Sequence, residues 1–271
     1  MHFDQLLQQA ALIGKLPLPE QATATMQFPA NWCQGRTAFG GLSASLLYQA
    51  MRQQIEPSRR LLSISTNFVG PLLADTDFSL IVEVLREGKN STQVLAKAVQ
   101  NNQVSVVVQA CFAKSRDSAI NVPVTKTMSL KPVNERHTLP FQAGVMPEFF
   151  QHVDLCPQQG SMPFTAAQTS HLGGWMKLKE SPTQFSEAHI IALTDAWPPT
   201  LLQMFSQPAP ASSMSWYLEF VQTPQLSAGE WLGFEAITHH CKDGYGLEDG
   251  CIWSQSGELL ALTRQTVALF D

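Results

Sequence analysis

The sequence predicts an α+β fold built from two tandem copies of one unit, each an antiparallel sheet wrapped around a central helix. Three observations point there. The helical stretch at 40–51 is apolar nearly all round, with Leu42, Ala44, Leu46, Leu47, Ala50 and Met51, a pattern that suits a helix enclosed by other elements. Strand-like runs follow at 62–69, 78–86, 92–100 and 104–112, joined by short polar turns such as Arg86-Glu87-Gly88-Lys89-Asn90 and Asn101-Asn102, as in an antiparallel meander. After Asp195 the order recurs: a helical 200–205, a strand-like 214–220, then strand-like 231–239, 245–254 and 259–270, with Gln255-Ser256-Gly257-Glu258 as a hairpin turn.

The remaining elements fall around this frame. The segment 1–15 reads as an amphipathic helix, because Asp4 and the lack of a basic start rule against a secretory leader. Residues 23–28 have the composition of a first strand, and Pro29-Ala30-Asn31 with Gly35 marks a loop. Between 114 and 140 the periodicity fades while Pro123, Pro132 and Pro140 appear, as expected of a connection. The expected division is therefore 1–115, a linker at 116–140, and 141–271. In the second part 175–179 alternates like a strand, 188–194 leads into the helix region, and Pro198-Pro199 suits a first helical turn.

Composition narrows the function. A chain of 271 residues can hold two domains with real cores, and 44% hydrophobic against 14% charged residues describes a globular protein with much interior or interface. A formal net charge of -5 gives no general attraction for nucleic acid or an anionic membrane. No apolar run reaches the roughly 20 residues of a membrane span. The five cysteines are scattered and include no C-x-x-C pair, so reduced thiols in a cytoplasmic protein are expected rather than disulfides or a zinc site. His239-His240-Cys241 sits on a predicted strand, where neighbours point to opposite faces, and no metal is assigned to it. The glycine-rich run at 35–43 lacks the Lys-Ser or Lys-Thr of a phosphate-binding loop, and Gly41-Leu42-Ser43-Ala44-Ser45 lacks the last glycine of a nucleophile elbow.

The halves differ in polar residues. The second carries Asp195, Ser213 and Gln265 where the first offers Gly40, Leu61 and about Ala110. Gly35-Arg36-Thr37-Ala38-Phe39-Gly40-Gly41, Phe68-Val69-Gly70-Pro71 and Leu85-Arg86-Glu87-Gly88-Lys89 in the first half resemble the tandem-hotdog acyl-CoA thioesterases, of the acyl-CoA thioesterase II-like kind. So do Gly174-Trp175, Thr194-Asp195-Ala196-Trp197-Pro198-Pro199, Ser213-Met214-Ser215 with Phe220, and Arg264-Gln265 in the second. The resemblance covers most of the chain.

It implies two hotdog units paired side by side, with acyl-CoA between them as the substrate, and a place in fatty acid metabolism. It implies no cofactor. It also implies catalytic roles for Asp195, Ser213 and Gln265. Phe39, Gly40 and Gly41 at the first helix are expected to line the substrate pocket, and of the basic residues Arg59, Arg60, Arg86 and Lys89, the last two are expected to meet the phosphates of CoA. Two positions depart from the family pattern: Ser215, commonly aspartate, and Ser65, commonly histidine. Hydrolysis of a thioester needs an activated water and a donor for the developing oxyanion. Asp195 would polarise the water, Ser213 and Gln265 would hold it, and a backbone N–H at a helix start would receive the oxyanion. The alternative role for Asp195 is a carboxylate that stabilises a helix N-terminus. The Ser65 and Ser215 departures keep open a non-catalytic acyl-CoA-binding protein. A hydratase is less favoured, because no Asp and His stand at a suitable separation near either helix start. The low charge fraction suits association into a homo-oligomer.

Overall fold

A computed structural model describes residues 1–270. The first half holds helix α1 (Phe3–Gly14), the short α2 (Leu18–Gln21), the two-residue strands β1 (Cys33–Gln34) and β2 (Thr37–Ala38), and the long helix α3 (Gly40–Arg52). Strands β3 (Arg60–Phe68), β4 (Ser79–Glu87), β5 (Ser91–Gln100) and β6 (Gln103–Ala113) complete it. The second half holds β7 (Val153–Gln159), β8 (Leu172–Leu178), helix α4 (Glu187–Thr194), and strands β9 (Ala211–Phe220), β10 (Leu232–Lys242), β11 (Tyr245–Trp253) and β12 (Leu259–Leu269).

One ten-stranded sheet unites them in the order β4-β5-β6-β3-β9-β12-β11-β10-β8-β7. Within each half a helix is followed by four strands whose spatial order is first, fourth, third, second. The halves meet through their first strands, β3 and β9, paired antiparallel with Ser63 opposite Glu219 and Asn67 opposite Ser215. Every pairing in the sheet is antiparallel. This is the predicted α+β double hotdog.

The all-round apolar pattern of α3 has the predicted cause. Leu42, Leu46, Leu47, Ala50 and Met51 are fully buried, and the helix packs against the first half's sheet, α1 and α4. Each of these leucine and methionine side chains is worth about 1.5 to 3 kcal/mol in removal from water. Helices α3 and α4 run antiparallel at close range. Ser45 Oγ donates to the Ala188 carbonyl at 2.8 Å, and Tyr48 Oη to Glu187 Oε2 at 3.1 Å. The N-terminus of α3 therefore lies beside the C-terminus of α4.

Three expectations are corrected. The helix that matches α3 is α4, not 200–205, because 200–205 contains only a 3₁₀ turn, Thr200–Met204, braced by Gln203. Asp195 is accordingly not the counterpart of Gly40: Gly40 begins its helix, whereas Asp195 caps the end of α4. Residues 23–28 form no strand beyond one bridge, Met26 to Phe78, since the chain there turns into Ala30–Trp32. Strand β7 was not predicted; Pro157 interrupts its pattern at a register shift on the sheet's edge. The segment 114–134 has no regular structure, yet Leu130 is buried with Cys156, Trp175 and Trp231.

Candidate active site

Asp195 is placed by the meeting of the two helices. Nothing in the first half caps α3, because the preceding Phe39 has no side chain able to accept its free N–H groups. Asp195 does so from the other half: its Oδ2 accepts from the Gly41 N–H at 2.7 Å. The alternative role set out for this residue, a carboxylate at a helix start, is thus real, but the helix belongs to the opposite half. Glycines make the approach feasible. A Cβ on Gly40 would lie 2.6 Å from Asp195 Oδ2, and one on Gly41 would lie 2.5 Å from the Ala192 carbonyl oxygen.

Ser213 and Gln265 reach the same place from the sheet. Their positions rest on an irregularity in β9: Thr266 pairs with Ser215 and Val267 with Ser213, so Met214 is an extra residue that bulges outward. Without it, Ser213 and Ser215 would share a face, since side chains alternate along a strand. With it, Ser213 turns to the inner face beside buried Gln265 and donates to Gln265 Oε1 at 2.8 Å. That leaves the Gln265 Nε2 amide as a donor.

All three polar residues line one cavity of about 780 Å³, together with Gly40 and Ser43 from the start of α3. Its other walls are mostly apolar, with Phe68, Phe149, Phe150, Phe164, Leu155 and Trp197 among them. Phe164 carries a left-handed backbone, φ 66°, held by its N–H to the Leu202 carbonyl at 2.8 Å. Asp195 is partly buried and lines this cavity. Burial pushes its carboxyl up to about 7, the Gly41 N–H opposes that rise, and the charge of Glu248 adds to it.

The other sequence-predicted positions separate. Gly40 lines the cavity and Gly41 holds Asp195, while Phe39 is buried behind the wall, stacked on Phe149 at 4.0 Å between ring centroids. Arg86 and Lys89 do not line the cavity; they are exposed at the far end of the edge strand β4. Ser65 and Ser215 are on the outer face, where they border a small separate pocket with Tyr217, Arg264 and Thr266.

Two features escaped the sequence reading. Arg36 is exposed on the hairpin whose Gln34 and Thr37 line the cavity. Glu248 is buried on the inner face of β11, opposite Gln265. A signal for Glu248 existed, because an acid there falls in phase with Gly246, Gly250 and Ile252 on the apolar side of the strand. His239 Nε2 lies 3.3 Å from Asp249 Oδ2 on the outer face.

Comparison with known proteins fits this architecture. Residues 28–113 match the acyl-CoA thioesterase N-terminal domain and residues 129–269 the acyl-CoA thioesterase C-terminal domain. No curated protein matches in sequence. Among solved structures, a conserved hot dog protein of unknown function from Alicyclobacillus acidocaldarius superimposes with a TM-score of 0.78 at 22% identity, covering 93% of this chain and 97% of that one. A putative thioesterase II from Thermobifida fusca gives 0.76 at 17% identity, over 91% and 92% of the two chains. The acyl-CoA thioesterase II TesB2 from Mycobacterium marinum gives 0.67 at 18% identity, over 93% and 97%. At these identities the superpositions speak for the fold alone. By its match to both domain families in order, this chain belongs to the acyl-CoA thioesterase family.

Proposed function

We propose that the protein hydrolyses an acyl-CoA thioester to a free carboxylic acid and CoA, using Asp195 as general base. The observation that carries this reading is the meeting of Asp195, Ser213 and Gln265 on the wall of one apolar cavity at the helix junction. With Oδ2 tied to Gly41, Oδ1 faces a water. That water loses a proton to Asp195 as its oxygen bonds to the thioester carbon. The oxyanion is met by the Gln265 amide and by the Gly40 N–H, since Gly41 is already engaged. Collapse breaks the C–S bond, and the proton returns to the leaving sulfur. The apolar walls take the acyl chain, and Arg36 at the mouth meets the CoA phosphates in place of Arg86 and Lys89.

Purified protein is expected to release thiol from acyl-CoA substrates across a chain-length series. Because the base must be ionised, kcat/KM is expected to rise about tenfold per pH unit at low pH and to level off above about 7, the value to which Asp195 is raised. Absence of thiol release with every chain length would sink the reading. Binding without turnover would instead select the non-catalytic alternative. That alternative drew on Ser65 and Ser215, which face away from the cavity and give no reason to prefer it.

Ser213→Ala removes the hydroxyl that fixes Gln265. A fall in kcat of about tenfold with KM held within about twofold is expected, as for loss of a group that orients the transition state. An unchanged kcat would exclude Ser213 from the machinery.

A further inference from the structure

An inner row of polar groups continues past Gln265, deeper into the sheet than the cavity. Glu248 lies directly opposite Gln265 on β12 and opposite Thr238 on β10, and is 5% exposed. Its Oε2 accepts the Thr200 N–H at 2.7 Å, and the hydroxyls of Thr200 and Thr238 bond each other at 2.8 Å. Thr200 opens the 3₁₀ turn directly after Pro198-Pro199, which themselves line the cavity beside Asp195. Glu248 does not line the cavity. It touches the segment that leaves Asp195 and the strand that carries Gln265.

We propose that Glu248 is a positioning residue for Asp195: its buried carboxyl anchors the segment following the base and sets a second acid inside the same half. When ionised, that acid makes Asp195 hold its proton more tightly. This rests on the thioesterase reading for its catalytic meaning, though not for the coupling itself. Among the described residues, Glu248 is the charged group that acts on Asp195. From α3, Asp195 meets Gly40 and Gly41. At the far end of α4, Glu187 is held by Tyr48 and His189 by Asp4. β9 and β12 present the neutral Ser213 and Gln265 to the cavity, and the 3₁₀ turn carries no acid or base. Asp249, next to Glu248, is tied on the outer face to Arg264 at 2.6 Å and His239 at 3.3 Å, while His240 is exposed. Burial also raises the carboxyl of Glu248 itself, and the charge of Asp249 adds to that rise.

The test compares pH profiles of kcat/KM for the wild type and Glu248→Gln, with the acyl-CoA that the wild type cleaves best. Glutamine keeps an acceptor for Thr200 and drops the charge. The acid limb is expected to move to lower pH by about half a unit or more, the scale of a charge acting across one or two side chains in a protein interior. A variant that folds and loses rate with the limb unmoved would overturn the proposal, because mere structural support changes rate without changing proton affinity. A second arm avoids altering Glu248. In Asp195→Asn, the Glu248 carboxyl carbon, followed by NMR on the full chain, is expected to titrate at lower pH than in the wild type; an unshifted curve overturns the coupling. Should the wild type cleave no acyl-CoA, the thioesterase reading falls alone, and the NMR arm still decides the coupling.

Discussion

Asp195→Asn is expected to lower kcat by about 10² to 10⁴-fold, the range for loss of a general base, with little change in KM. The fold should survive, because the asparagine Oδ1 can accept the Gly41 N–H as the carboxylate does. Stability then gives a second, independent signature. A buried acid whose folded value lies near 7 and whose unfolded value is 3.8 favours the native state fully below pH 4, and that contribution is lost as pH rises through 7. Asparagine carries no such dependence. The Tm of the variant minus that of the wild type should therefore grow between pH 4 and 8, by thermal melts at constant ionic strength. Full activity in the variant would end the mechanism, and a flat Tm difference would show that Asp195 is not desolvated.

Gly41→Ala is expected to damage both stability and activity. Inside a helix, glycine to alanine ordinarily stabilises by about 0.5 to 1 kcal/mol. Here the new methyl would stand 2.5 Å from the Ala192 carbonyl oxygen and 2.6 Å from the Phe39 ring, both held by packing. The helices must part, at a cost of about 1 to 3 kcal/mol, or a drop of about 3 to 8 °C in Tm. Parting them also stretches the bond to Asp195, so kcat should fall with stability. A Tm at or above that of the wild type would show that α3 and α4 are not packed at this distance.

The fold was legible because its signals are periodic and strong. The enclosed α3 announced itself by lacking a polar face, and eight strands of the two meanders were found to within a few residues. What escaped was decided by contacts distant in sequence. The second helix was displaced because Pro198-Pro199 reads locally as a helix start, whereas Thr200–Met204 forms only a 3₁₀ turn tied to Glu248. In the site, residue types and motifs located Asp195, Ser213 and Gln265, but not the reason they meet. An alternating reading places Ser213 and Ser215 together, and only the bulge at Met214 parts them. Arg86 and Lys89 are basic and stand beside a motif, but strand direction carries them to the far end of an edge strand. The partner of Asp195, 154 positions away, has no local signature at all.

That long-range bond ties together what the two halves can tolerate. A side chain at 41 would part the helices that bring Asp195 to its donor, so the bond between 41 and 195 fails with it. Changes at the two sites should be strongly non-additive. The two units share one sheet, but neither is free to vary alone: the placement of the Asp195 carboxylate in the second half depends on a glycine in the first.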